Sequence, residues 1–84
     1  MKDNQQKAYD ELKALGVPLF ERDDHPTGFF ISAEHENSYL WVDYYNEYNR
    51  FEDFGCHSKI REVLEPLGLF AEWENPGCLA VWEI

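Results

Sequence analysis

The sequence predicts an α+β fold: an antiparallel four- to five-stranded sheet with two helices on one face, in the order α-β-β-β-α-β-β. Two segments carry apolar residues at helical spacing and end in glycine. Several short runs rich in aromatic and β-branched residues are separated by Gly, Pro and Asn turn signals. The chain has 84 residues, 44% hydrophobic and 17% aromatic, which suits one core and leaves no room for a second domain; residues 1–84 are expected as a single domain.

The first helix is expected over about residues 4–15. Asp3 followed by Gln6 fits a capping box, and Ala8, Leu12 and Leu15 recur on one face beside Tyr9. Gly16 reads as the C-cap, and Pro18 forbids continuation. Residues 17–21 read as an edge strand that tolerates Pro18, and 24–28 as a turn. Residues 29–32 then form a strand, 34–37 a hairpin tip and 39–45 the returning strand. Alternation in that returning strand puts Leu40, Val42 and Tyr44 on one face, and Tyr39, Trp41, Asp43 and Tyr45 on the exposed one.

The second helix follows from Ile60, Val63, Leu64 and Leu67, the stripe of a core-facing helix capped by His57 or Ser58 and ended by Pro66 and Gly68. Asn75-Pro76-Gly77 then turns a hairpin between 69–74 and 78–84. With Pro76-Gly77 as the loop, Trp73 faces Ala80 and Glu72 faces Val81. That register gathers Leu69, Ala71, Trp73, Cys78, Ala80, Trp82 and Ile84 on one face, and sets Glu72, Glu74 and Glu83 around Phe70, Leu79 and Val81 on the other. If the two hairpins adjoin, the open sheet face carries Asp43, Glu72 and Glu74 with Tyr39, Trp41 and Tyr45 between them.

The charge is segregated. Residues 23–49 hold six acids and 62–84 hold five, neither with any Lys or Arg, so the net charge of −10 comes from these two blocks. A directional negative field suits a basic protein partner and argues against direct nucleic-acid binding, which needs clustered Lys and Arg. Excess acid also keeps a small protein soluble, a second reading of the same residues. The start lacks an apolar signal region and no stretch is long enough to span a bilayer, so a cytosolic protein without membrane contact is expected.

Little points to catalysis. There is no phosphate loop, nucleophile elbow or helical zinc motif. Cys56-His57 is the one nucleophile–base adjacency, and capping is the expected role of His57. Cys56 and Cys78 read as buried free thiols. Glu34-His35-Glu36 alternates sides and so makes a poor metal site; no catalytic residue, metal or cofactor is expected. The segment 43–55 interleaves aromatics with acids. Tyr45 and Tyr48 are the expected contacts there, whereas Phe51 and Phe54 serve either as contacts or as lids over the core. On a strand, Glu72 and Glu74 stand about 6.8 Å apart, a repeat close to that of backbone phosphates. The expected partner surface is therefore Tyr39, Trp41, Asp43, Tyr45, Glu47, Tyr48, Glu72 and Glu74.

In size, acidity and aromatic–acidic segments such as Trp41-Val42-Asp43-Tyr44-Tyr45 and Phe70-Ala71-Glu72-Trp73-Glu74, the chain resembles the small acidic inhibitors encoded by phages and mobile elements, the anti-CRISPR and anti-restriction proteins that mimic nucleic acid. The resemblance implies a non-enzymatic inhibitor that occludes the DNA or RNA groove of a basic host protein, first of all a CRISPR effector. A strand at a sheet edge could pair across a dimer, so a monomer or a weak homodimer is expected. Through Tyr44-Tyr45 the chain also resembles toxin-neutralising immunity proteins, although the nuclease-immunity family of this size is all-helical. An immunity role, or a structural or assembly role in a mobile element, is the alternative.

Overall fold

A computed structural model describes residues 1–25, 27–46 and 49–84. Helix α1 (Asp3–Leu15) buries Gln5, Ala8 and Leu12. Its N-cap is Lys2, which makes no side-chain cap bond, so the expected capping box does not form; Asp3 sits inside the first turn, where its charge suits the helix dipole. Gly16 closes the helix at φ 95°, its N–H bonded to the carbonyls of Leu12 and Lys13.

Strands β1 (Leu19–Phe20), β2 (Phe30–Ser32), β3 (Leu69–Asn75) and β4 (Cys78–Glu83) form one antiparallel sheet in the order β1-β2-β4-β3. Helix α2 (Ser58–Leu64) precedes β3 and runs into a 3-10 turn, Glu65–Leu67, that accommodates Pro66 and ends at Gly68 with φ 73°. His57 caps α2 through its side chain, which accepts from Lys59 N at 3.0 Å. Both helices cover one sheet face. Ala8 and Leu12 from α1 and Ile60 and Leu64 from α2 share a core with Ile31, Leu79 and Val81.

The opposite face is covered in part, over β2 and the start of β4, while Phe70, Glu72 and Trp82 stay exposed. Phe30, Cys78 and Ala80 form a smaller buried cluster there. Phe20 stacks on Phe30 at 5.2 Å, His25 packs on Trp82 at 4.2 Å, and the Arg22 guanidinium lies 4.1 Å from the centre of the Phe30 ring. Pro26 of the expected 24–28 turn lies outside the described residues.

Two further sequence expectations change. Residues 39–45 do not return as a strand: Ser38–Leu40 is a 3-10 turn, and Val42 makes only an isolated bridge with Cys56. The reason is the sheet order. β2 lies between β1 and β4, so neither of its edges is left for a local hairpin. The second change is register. Pro76-Gly77 is the loop, with Asn75 opposite Cys78, but the pairing shifts by one between Trp73 and Asn75, so that Trp73 faces Leu79, Ala71 faces Val81 and Glu72 faces Ala80. One extra residue on β3 reverses the faces of β4. Leu79 and Val81 thereby turn toward the helices, while Cys78, Ala80 and Trp82 join Phe70 and Glu72 on the far side. Glu83 pairs opposite Leu69 and makes an ion pair with Lys2 at 3.2 Å. Among the described residues no helix is long and apolar enough to cross a membrane.

Candidate functional site

The connection from β2 to α2, residues 33–57, takes its shape from a few polar contacts. Buried Ser38 donates its hydroxyl to Ser32 O and accepts from His35 N at 3.1 Å, which ends β2 and starts the 3-10 turn. Val42 then enters the core and Trp41 packs against it, its ring 5.2 Å from that of His57. The chain closes on itself where Asp43 N donates to Gly55 O at 2.7 Å and His57 N donates to Trp41 O at 2.7 Å. Gly55 has φ 80°, and a Cβ there would lie 2.1 Å from Asp43 O, so only glycine fits. Asn46, also left-handed, brackets Phe51: its Nδ2 donates to Phe51 O at 2.7 Å and its Oδ1 accepts from Phe51 N at 3.2 Å.

This connection displays tyrosines. Tyr39 is 58% exposed and Tyr45 70%. Tyr44 stacks edge-on against Tyr45 at 5.2 Å and against Trp73 of β3 at 5.3 Å, which anchors the group to the hairpin. A depression of about 330 Å³ is lined by Glu36, Tyr39, Asp43, Tyr44, Tyr45 and Arg50 among others. Arg50 donates to Tyr39 O at 3.1 Å and stands 3.8 Å from the Asp43 carboxylate.

Of the expected surface, Tyr39, Asp43 and Tyr45 come together here. Trp41 does not, because it turns inward. Glu47 and Tyr48 lie outside the described residues. Phe51 is half-buried, its ring 6.0 Å from that of His57, whereas Phe54 points outward. Glu36, Tyr44 and Arg50 join the site although the expected partner surface does not include them. The turn chemistry of His35, Asn37 and Ser38 is the signal that would have moved Tyr44 off a buried strand face.

Glu72 and Glu74 stand elsewhere, on the sheet face away from the helices. Glu72 is exposed and has no ion pair among the described residues. Glu74 is engaged: Arg22 donates to it at 2.8 Å while also bonding Asp24 at 2.9 Å, and Cys78 Sγ donates to it at 3.4 Å. The hydrogen bond from Arg22 holds the Glu74 carboxyl below the usual range. Burial first, and then the neighbouring Glu74, pushes the Cys78 thiol up to about 11. The expected single acidic–aromatic sheet face is thus divided in two. The cause is that 39–45 leaves the sheet.

The remaining polar candidates are occupied in the fold. Burial, with a smaller contribution from Asp53, pushes the Cys56 thiol up to about 12, the reverse of an activated thiolate. His35 Nδ1 accepts from Asn37 N at 3.1 Å, and His25 Nε2 lies 3.1 Å from Val81 O. Lys2, Arg22, Arg50 and Arg61 are each ion-paired, so much of the sparse positive charge is already taken up by acids. No protein-family model, curated protein or solved structure matches this chain.

Proposed function

We propose that the protein is a non-enzymatic inhibitor that binds a basic nucleic-acid-handling protein, a CRISPR effector foremost, and occludes its DNA- or RNA-binding groove in the host cytosol. The observation that carries this reading is the tyrosine depression on a chain of net charge −10. Exposed tyrosines supply contact area at low entropy cost and tolerate a wet rim, while Glu36 and Asp43 supply the charge that steers a basic surface into place. Glu72 adds an uncommitted carboxylate. Glu74 contributes less than its sequence position suggests, because Arg22 already neutralises it.

The test is binding to purified CRISPR effectors and restriction endonucleases, with their own nucleic acid as competitor. Tyr45→Ala and Glu36→Lys, both exposed positions, are expected to leave the fold intact and each weaken binding about tenfold or more. Glu72→Lys shows whether the far sheet face takes part. An effector that binds the protein and its nucleic acid together, or no binding to any of them, would overturn the reading; capture of a toxin nuclease in their place would assign an immunity role.

A further inference from the structure

β3 ends the strand order, so one of its edges pairs with β4 and the other has no strand partner among the described residues. The hydrogen bonds reveal what that edge offers. Ile84 N donates to Gly68 O at 3.0 Å, so by antiparallel alternation 70/82 and 72/80 are also hydrogen-bonded pairs. Val81 N agrees with this, donating the other way, to Phe29 O at 3.1 Å. The backbone N–H and C=O groups of Leu69 and Ala71 therefore point away from β4 to the free edge.

Alongside this edge is a groove of about 620 Å³ between β3 and α2, lined by Ile60, Leu64, Leu69 and Ala71. Its rim carries two apolar side chains left almost wholly in solvent, Phe54 at 90% and Ile84 at 84% exposure. The display of Phe54 is built in. It holds a left-handed φ of 55°, costly for a residue with a Cβ, and its carbonyl is fixed by Trp73 Nε1 at 2.6 Å. A strained backbone that holds a phenylalanine out of the core beside an apolar groove is arranged for contact with something else.

The charges around the groove choose the occupant. Asp53, Glu65 and Glu72 line it against one base, Arg61, which already lies 3.4 Å from Asp53 and 3.6 Å from Glu65. A strand laid along β3 sends alternate side chains into the groove, opposite Leu69 and Ala71, and the others to the face bearing Phe70 and Glu72. The first set meets the apolar groove wall and the second meets the Glu72 carboxylate. A second copy of this chain fits poorly, since it would join two surfaces of the same strongly negative net charge. We infer that the free edge of β3 and the α2 groove bind, by strand addition, an extended segment of a basic partner in which apolar residues alternate with Lys or Arg. The tyrosine depression and the identity of any nuclease target do not enter this inference.

The probe is a short synthetic peptide alternating valine and lysine, added to the wild-type protein and followed by amide hydrogen exchange. The expected result is at least tenfold slower exchange at Leu69 and Ala71. N-methylation of one alternate set of peptide amides should abolish that protection, and methylation of the other set should spare it. Glutamate in place of lysine should weaken binding at least tenfold, and Glu72→Lys should narrow that gap. No protection at Leu69 and Ala71 at millimolar peptide, or equal binding by both methylated forms, would overturn the inference, as would a free protein that is dimeric with those amides already protected.

Discussion

The β3–β4 hairpin and the 33–57 connection hold their shapes by different means. In the hairpin, a ladder running from Leu69–Glu83 to Asn75–Cys78 is backed by Leu79 and Val81 in the core, so many contacts share the work. In the connection, single devices carry each bend: the Ser38 hydroxyl, the Asn46 bracket, the closure at Gly55. Distributed packing responds to damage as a unit. A segment held at a few points fails at those points and leaves the rest standing.

The largest expected effect strikes the first kind of region. Leu79 is buried between Trp73 and Ile31 on the paired strands, so Leu79→Ala should cost about 2–5 kcal/mol and lower the urea midpoint in one cooperative transition. Separate unfolding of β3 and β4 in two transitions would break the contrast, by showing that the hairpin's packing does not respond as a unit.

An intermediate effect is expected at Gly55. Alanine there meets a left-handed φ and a clash with Asp43 O, for roughly 1–3 kcal/mol. Amide exchange should accelerate at Asp43 and His57, whose bonds close the connection, more than at Val81 in the sheet. Uniform acceleration would mean that the connection is as integral to the fold as the hairpin.

The contrast also explains what was legible in the sequence. Both helices, the Gly16 and Gly68 stops, the His57 cap and the Pro76-Gly77 loop follow from local chemistry, and they appear where spacing put them. What local chemistry could not decide was competition. The alternation over 39–45 is a strand pattern, but a strand needs an edge, and β4, far along the chain, takes the edge of β2 that a hairpin would have used. The extra residue at Glu74 was equally hidden, since no residue type announces a register shift, yet it decided which side of β4 is core. The candidate surface was divided for the first of these reasons. Tyr39, Asp43 and Tyr45 remained neighbours because they are close in sequence, whereas their union with Glu72 and Glu74 depended on a sheet pairing that does not exist.

The smallest expected effect lies where a third segment is tied to the hairpin. Arg22 reaches from the chain after β1 to Glu74, and this bond holds the Glu74 carboxyl below its ordinary range in the folded state only. A carboxyl depressed on folding contributes stability above its unfolded pKa and loses that contribution as pH falls through the folded value. Glu74→Gln keeps an oxygen for Cys78 Sγ but removes the charge. Wild type should therefore be slightly the more stable at neutral pH, with the difference in urea midpoint closing on acidification below the carboxylate range and shrinking in high salt, because the pair is solvent-exposed. A difference that persists at acid pH would assign the role of Glu74 to packing around Cys78, making the tie to Arg22 incidental to the hairpin.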